Sequence, residues 1–304
     1  MYKESRITFY YTISPLHMGA GDGLGAIDAP IQREVHTNHP IIAGSGIKGA
    51  LRYHFSSLWE EFSDDEFLTI FGPDTNSSEH AGAISFSDAN IVAFPVRSVS
   101  NAFLYCTSVT AIARLFRLAN IAGISVDWTV PQVDSGCLVA DSAILSTTEK
   151  VYLESFEIGA RQDENLRKIA RWISEHVFSA RADEFFRAKF ERDLVLLPER
   201  EFVHFVVNAT SVEPHVKIDP TRGVAQDGGL FYVENLPPES LLCGLVLASD
   251  GRRQASSLGA DSVISRIMGD DCRPGIDGGV VQFGGDSTYG RGLVALSFVK
   301  KERD

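Results

Sequence analysis

Glycines alternate with ionisable side chains in residues 16–34, which have the sequence LHMGAGDGLGAIDAPIQRE. A carboxylate on such a backbone can hold a divalent metal ion or accept a proton. Aspartates of this kind also suit ordinary turns, and the pattern alone favours that simpler interpretation. The ionisable residues of the segment are His17, Asp22, Asp28, Arg33 and Glu34.

A second candidate segment, GSGIKGALR at 44–52, is predicted to begin a helix. Backbone amides at a helix N-terminus favour an anion, and glycine there lets a phosphate approach closely. The spacing is not that of a P-loop, and a capped helix with solvated basic side chains accounts for it equally well. The residues that would bind phosphate are Gly44, Ser45 (also the predicted N-cap) and Gly46, with Lys48 and Arg52 on one helix face.

Residues 213–237 are predicted to form an extended hairpin arm, because Pro220 and several glycines favour turns within a strand-like sequence. Lys217 and Arg222 could contact nucleic acid by charge, and the arm's aromatic residues by stacking. A hairpin used for oligomerisation accounts for the pattern equally well.

The segment GGDSTYGRG at 284–292 is a third glycine-rich loop. Backbone amides in such a loop can cradle phosphates, and Gly284, Gly285 and Arg291 are the candidate contacts. It leads into a strand instead of opening a helix, which excludes a dinucleotide-binding fingerprint. A tight turn is the alternative.

Composition limits the possible functions of the chain. Its 304 residues are 44% hydrophobic and 10% aromatic, which suffices for a buried core and excludes a disordered or disulfide-rich protein. Forty acidic residues against 28 basic ones give a net charge of −12. Binding to nucleic acid therefore depends on a local basic surface, or on contacts shared between copies, and not on the net charge.

No signal peptide or apolar stretch long enough to span a membrane is evident, so we expect a cytoplasmic protein without a membrane partner. The cysteines and histidines are scattered, which argues against a disulfide framework and against a zinc site. The four cysteines are Cys106, Cys137, Cys243 and Cys272.

Hydrophobic periodicity predicts an α+β protein in which strands and helices are interleaved. Helices are predicted after Ser45 and at 109–122, 164–193 and 257–268. Strands are predicted at 7–14, 83–88, 91–96, 151–158, 202–210, 241–248 and at the end of the chain.

These motifs, taken in order, resemble the RAMP superfamily, and more narrowly the repeated backbone subunit of the type III-B (Cmr) CRISPR RNA-guided effector complex. The matching pieces are H-x-G-x-G, D-x-P-I-Q-R-E, G-S-x-I-K-G-A-L-R and G-G-x-x-T-x-G-x-G. The closing loop departs from the stricter pattern at Gly285 and Arg291. The resemblance covers both ends and the arm, while residues 55–195 add little to it.

The resemblance implies a ferredoxin-like (RRM-related) palm with helical insertions and a β-hairpin thumb. A single RAMP domain would span 1–304. The palm would occupy about 1–160 and 240–304, the helical insertion about 162–195 and the thumb arm about 210–238.

For function, the resemblance implies a guide-RNA-binding filament subunit that cleaves complementary single-stranded target RNA at regular intervals. Its partners would be the guide (CRISPR) RNA, the target RNA, copies of itself and other Cmr effector subunits. By the same resemblance, Asp28 is the catalytic residue and the ligand of a divalent metal, Mg²⁺ or Mn²⁺, and His17 contacts RNA as a helper.

Three alternatives stay open. The chain could be a purely structural RNA-binding subunit in which Asp28 is inert. It could be a related enzyme that processes precursor guide RNA through histidines, or an acidic metabolic enzyme that binds a small phosphorylated ligand.

Overall fold

The computed structural model describes residues 2–23, 25–59, 64–73, 80–178, 183–253, 257–269 and 274–301. Strands and helices are interleaved along these residues, which confirms the α+β prediction. The strands are β1 Glu4–Thr12, β2 Ile41–Ile42, β3 Ile84–Phe86, β4 Ala89–Ser98, β5 Ala102–Ser108, β6 Cys137–Val139, β7 Lys150–Leu153, β8 Phe156–Gln162, β9 Leu194–Leu197, β10 Ser211–Ile218, β11 Ala225–Asn235, β12 Leu241–Ala248, β13 Val280–Gln282 and β14 Leu293–Phe298. The helices are α1 Gly44–Leu58, α2 Asp64–Phe71, α3 Val109–Ala122, α4 Glu164–Val177, α5 Glu184–Asp193, α6 Glu199–Asn208 and α7 Ala260–Met268.

One mixed sheet organises the molecule. Its strands follow the order β13-β14-β1-β12-β4-β5-β9-β6-β8-β7, with β2 also paired to β4 and β3 to β12. The pair β5–β9 and the pair β6–β8 are parallel. Strands β10 and β11 form a separate antiparallel hairpin, which is the predicted arm and is called the thumb below.

Both faces of the sheet are buried, so successive residues of its strands enter opposite cores. In β1, Ile7, Phe9 and Tyr11 pack with α3, α4 and α5, while Tyr10 packs on the other side with α1, α6 and α7. Strand β12 alternates in the same way, with Cys243 on the first side and Leu242 on the second. The predicted strand 241–248 is therefore confirmed as a doubly buried central strand.

Helix α3 occupies the predicted residues because both of its ends carry strong signals. The Ser108 side chain accepts a hydrogen bond from the Ala111 amide, and Gly123 ends the helix with a φ of 71°. Ala111, Ile112 and Leu115 lie on its buried face. Local sequence and tertiary packing agree at this helix.

The strand predicted at 202–210 is wrong, because residues 202–208 belong to helix α6. Phe202, Phe205 and Val206 are spaced for one helical face, and that face is buried. The aromatic and β-branched composition of the segment suggested a strand, but its packing against the sheet determines a helix.

Two other segments are divided where one element was predicted. The helical segment 164–193 contains two helices, α4 and α5, and residues 179–182 lie outside the description. The predicted strand 151–158 is a hairpin of β7 and β8 that turns at Glu154, whose φ is 51°. Strands β5 and β9 were not predicted.

The predicted N-cap of α1 is also wrong. The helix begins at Gly44, so Ser45 lies within it, and Ala43 is the N-cap without a side-chain bond. The Asp88 carboxylate supplies the cap instead, accepting a hydrogen bond of 2.7 Å from the Gly44 amide. A carboxylate from a distant strand thus stabilises the positive end of the helix.

Three of the cysteines, Cys106, Cys137 and Cys243, are free thiols in the core, and Cys272 lies outside the described residues. Among the helices described, none has the length and apolarity that a transmembrane segment requires.

A half-buried carboxyl group, that of Glu239, lies shortly before β12. Glu239 accepts a hydrogen bond from the Tyr11 hydroxyl, which lies 2.9 Å from the Tyr105 hydroxyl. Burial raises the pKa of Glu239 to about 7, from an ordinary value of 4.5. The folded protein therefore favours the protonated form of this carboxyl group.

The raised pKa of Glu239 makes the stability of the folded protein depend on pH. Replacing Glu239 by glutamine should remove this contribution. A raised pKa in the folded state stabilises the wild type fully below pH 4.5, and that contribution is lost as the pH rises through about 7. Between pH 5 and pH 8, we expect the free energy of unfolding of the wild type to fall relative to that of Glu239→Gln. Urea unfolding at several pH values measures the difference. Glu154→Gln is the control, because it also removes one acidic residue at positive φ. Curves of unfolding free energy against pH that run parallel for the wild type and Glu239→Gln would contradict the prediction.

Candidate functional site

The segment that contains Asp28 forms a small hairpin loop after β1. The Ala20 amide donates to the Pro30 carbonyl at 2.9 Å, and the Gln32 amide donates to the Met18 carbonyl at 2.8 Å. Within the loop, the Gly23 amide donates to the Asp28 carbonyl at 2.8 Å. Asp28 therefore lies where the loop rejoins its second arm, with an exposed side chain.

This second arm forms an isolated parallel bridge, Ala29 to Val233, with β11 of the thumb. The Ala29 amide donates to the Tyr232 carbonyl, and the Glu234 amide donates to the Ala29 carbonyl, both at 3.0 Å. The Asp28 carboxylate accepts a hydrogen bond of 2.7 Å from the Tyr232 amide through Oδ2. Oδ2 thus orients the carboxylate, while Oδ1 receives no hydrogen bond from the described residues, and the residue as a whole is exposed.

A buried carboxylate, Glu234, lies at the base of the thumb, and its side chain is only 4% exposed. Its Oε2 accepts a hydrogen bond from the Ile31 amide at 3.0 Å. Its Oε1 accepts from Arg33 Nη2 at 2.6 Å and from the Thr210 hydroxyl at 2.8 Å. Donors on the Asp28 segment and at the start of the thumb therefore satisfy both oxygens.

His17 is attached to the same place. Its Nδ1 lies 2.7 Å from the Glu234 carbonyl oxygen. Because a carbonyl only accepts, Nδ1 carries the proton, and Nε2 is the acceptor in the neutral ring. His17 and Asp28 are therefore both fixed to strand β11, one through Glu234 and one through Tyr232.

The closing glycine loop packs directly on this histidine. The Gly285 amide donates to the His17 carbonyl at 3.0 Å. A Cβ atom at Gly284 would lie 2.3 Å from that carbonyl oxygen, and the φ of Gly284 is +69°. Glycine is required at Gly284 for both reasons.

The start of α1 also packs beside Met18, the residue after His17. A Cβ atom at Gly46 would lie 2.7 Å from Cε of Met18, and one at Gly44 would lie 2.3 Å from the Phe86 carbonyl oxygen. The three glycine-rich motifs therefore meet around residues 17 and 18. The Gly44 amide is already bonded to Asp88, whereas Ser45 is exposed on the first turn.

Lys48 and Arg52 share a face of α1, as predicted, but that face lies against β3 and α2. Lys48 Nζ donates to the Ile84 carbonyl at 3.3 Å, and burial, followed by the nearby Arg52, lowers the pKa of Lys48. Arg52 Nη1 donates to the Gly72 carbonyl at 2.7 Å, and its guanidinium lies 5.1 Å from the centroid of the Phe67 ring. Both side chains are half-buried, and their contacts are with β3 and the α2 region and not with His17 or Met18.

The thumb carries the remaining predicted residues. Lys217 and Arg222 are exposed toward its tip. Near its base, Arg291 of the closing loop forms an ion pair with Glu213. His215 stacks on Phe231 with ring centroids 5.4 Å apart and an interplanar angle of 24°.

Neither Glu234 nor His215 was predicted from the sequence as a site residue. One acidic residue in a strand carries no local signal of burial, and its donors are more than 20 positions away in the sequence. His215 gains its partner only through the register of the hairpin, which places it opposite Phe231.

The described residues contain no group of three or more His, Cys, Asp or Glu side chains arranged to hold a metal ion. A metal ion at Asp28 would therefore be held by at most two such side chains of the described residues. Mg²⁺ is commonly held by one or two carboxylates, with substrate phosphates and water as the other ligands. The exposed Asp28 carboxylate would fit such an ion only together with phosphate oxygens and water as further ligands.

Comparison with known proteins gives a consistent result. The model of the RAMP superfamily matches residues 9–295. The CRISPR system Cmr endoribonuclease Cmr4 of Pyrococcus furiosus is 31% identical over 291 residues, which cover 94% of this chain and 93% of that protein. The Csm endoribonuclease Csm3 of Streptococcus thermophilus is 33% identical over 84 residues, only 24% of this chain and 38% of that protein.

Solved structures share the fold over nearly the whole chain. The crystal structure of oligomeric Cmr4 from Pyrococcus furiosus superposes with a TM-score of 0.74 at 26% identity, covering 98% of this chain and 99% of that chain. A chain of the type III-B Cmr-beta complex bound to cognate target RNA has a TM-score of 0.71 at 21% identity, covering 98% of each chain. The protein therefore belongs to the RAMP superfamily, and within it to the Cmr4 family of CRISPR endoribonucleases.

Proposed function

We propose that this chain binds a guide RNA as one of several copies and cleaves the complementary target RNA beside Asp28. The observation that carries the proposal is the Asp28 carboxylate itself, which is exposed and yet oriented by the Tyr232 amide at the base of the thumb. The family relative of 31% identity is named an endoribonuclease. The related Cmr-beta structure contains target RNA, and another relative is oligomeric.

The chemistry available to Asp28 is proton transfer from a ribose hydroxyl. The thumb would splay one nucleotide, which frees its 2′-hydroxyl to line up with the adjacent phosphorus. The 2′-oxygen would bond to phosphorus as the bond to the 5′-oxygen breaks. Asp28 would accept the hydroxyl proton and water would protonate the 5′-oxygen, leaving a 2′,3′-cyclic phosphate and a 5′-hydroxyl. The hydroxide formed from that water would then take the proton from Asp28.

Asp28 would also hold the divalent metal, Mg²⁺ or Mn²⁺, together with oxygens of the RNA. Such an ion would stabilise the negative charge that develops on the phosphate. Next to it, His17 would contact RNA through Nε2, because Nδ1 is bonded to the Glu234 carbonyl.

The guide RNA would follow the surface on which the glycine motifs converge. Gly284 and Gly285 lie on His17, and Gly46 lies on Met18, so all three are next to Asp28's own loop. Lys48 and Arg52 would supply positive charge along α1, and Lys217 and Arg222 along the thumb. Because the net charge is −12, these local cations would carry the attraction to phosphate.

The substitution Asp28→Asn should abolish cleavage in the reconstituted complex with guide and target RNA. Asparagine keeps an oxygen that can accept from the Tyr232 amide but cannot accept a proton, so we expect the single-turnover rate to fall by about 10²–10⁴-fold. Denaturing gels of end-labelled target RNA measure the rate and the spacing of the cuts.

Asp22→Asn is the matched control, because Asp22 is an exposed aspartate of the same loop. It should cleave at the wild-type rate. Cleavage that survives Asp28→Asn would assign the chemistry to another residue. A wild-type complex that binds target RNA without cutting it would leave the chain a structural backbone subunit.

Removing divalent metal should stop cleavage and leave RNA bound. EDTA should abolish the cuts, and Mg²⁺ or Mn²⁺ should restore them, with binding followed by filter retention. An unchanged rate in EDTA would assign Asp28 to proton transfer alone.

The double variant Lys217→Gln/Arg222→Gln should bind guide RNA more weakly and with less dependence on salt. Each lost phosphate contact should reduce the slope of log K against log[salt] by about 0.7 for a single strand. Fluorescence anisotropy at several salt concentrations measures the slope. Lys150→Gln, which removes an exposed cation of β7 that pairs with Glu157, is the control. An unchanged slope in the double variant would exclude the thumb cations from the RNA contact.

A further inference from the structure

Arg33 is held on three sides at the base of the thumb, although it lies five positions after Asp28. Its Nη1 donates to the Asn38 carbonyl and to the Val206 carbonyl, both at 2.9 Å. Its Nη2 donates to Glu234 Oε1 at 2.6 Å, and the side chain is only 14% exposed. A guanidinium bound at two nitrogens in one plane has a fixed orientation.

This ion pair connects three elements that carry separate parts of the site. Val206 belongs to α6, and Glu234 belongs to β11 of the thumb. Arg33 itself belongs to the segment of Asp28, and the Ile31 amide of the same segment is bonded to the other oxygen of Glu234. The helix before the thumb, the returning strand of the thumb and the Asp28 segment therefore meet at one buried carboxylate.

The contacts closer to Asp28 run along the same path. The Tyr232 amide orients the carboxylate, and the backbone of Ala29 is bonded to β11 on both sides of Val233. Any rotation of β11 relative to α6 would consequently shift the Asp28 carboxylate unless the joint at Arg33 holds the two elements together. Neither Arg33 nor Glu234 is exposed enough to contact RNA.

We propose that the Arg33–Glu234 ion pair is a positioning joint, which couples the orientation of the thumb to the position of Asp28. This inference rests on the proposed role of Asp28 in cleavage. RNA that presses on the thumb would act on β11, and the joint would determine where the Asp28 carboxylate lies when the target is bound. Arg33 is thus a positioning residue, and its loss should affect the chemical step and not the binding step.

A purely structural ion pair would behave differently, and the chain offers a matched one. Arg266 of α7 lies 2.8 Å from Glu66 of α2, with side chains 27% and 19% exposed. This pair also joins two elements across a core, but it lies apart from the thumb and from the Asp28 segment. Removing either arginine should lower the melting temperature, whereas only the loss of Arg33 should slow cleavage.

The test compares wild type, Arg33→Met, Arg33→Lys, Arg266→Met and Asp28→Asn in the reconstituted complex with guide and target RNA. Target affinity, the single-turnover cleavage rate and the melting temperature are measured for each. For Arg33→Met we expect wild-type affinity and a rate about 100-fold lower, the size of effect that a misplacement of about 1 Å produces. Arg33→Lys keeps the charge and should recover part of the rate, while Arg266→Met should cleave at the wild-type rate.

If Arg33→Met does not assemble, Glu234→Gln replaces it, because glutamine has the same shape and lacks the charge that pairs with Arg33. A wild-type cleavage rate in either variant would overturn the proposal that the Arg33–Glu234 ion pair positions Asp28. A rate loss in Arg33→Met matched by an equal loss of target affinity, or reproduced in Arg266→Met, would also overturn it. If the wild type does not cleave, or Asp28→Asn cleaves normally, the proposed function of Asp28 fails, and the positioning role fails with it.

Discussion

The burial of the Glu234 carboxylate is the constraint on which the site depends. An unpaired charge at that depth would cost several kcal/mol, so its oxygens must have donors. Those donors are the Ile31 amide, the Arg33 guanidinium and the Thr210 hydroxyl. Satisfying one carboxylate therefore brings the Asp28 segment against the thumb. The backbone of the same residue then accepts from His17.

Close backbone approach is the second requirement, and glycine provides it. The His17 carbonyl lies where a side chain at Gly284 would have to be, and Met18 lies where a side chain at Gly46 would have to be. The glycine motifs that first suggested phosphate binding thus also have a packing function within the chain. Two of their amides are bonded within the chain, that of Gly44 to Asp88 and that of Gly285 to the His17 carbonyl.

Some elements could be predicted from sequence because their signals are local. Helix α3 has its own cap residues, and β12 is a continuous apolar run. Helix α6 was mistaken for a strand, since its aromatic and β-branched residues suit either structure and only packing decides between them. Within the site, the glycine-rich pattern indicated five ionisable candidates, and only the family resemblance singled out Asp28 and His17. The role of Glu234 could not be predicted, because its burial results from contacts between segments far apart in the chain.

Residue-resolved hydrogen exchange measures directly whether Glu234 fixes the Asp28 segment to the thumb. The Ile31 amide donates to the buried carboxylate, whereas Ala26 lies in the exposed part of the same loop. We expect the Ile31 amide to be strongly protected in the wild type and to lose this protection in Glu234→Leu, whose side chain accepts no hydrogen bond. An Ile31 amide that exchanges as fast as that of Ala26 in the wild type would contradict this expectation.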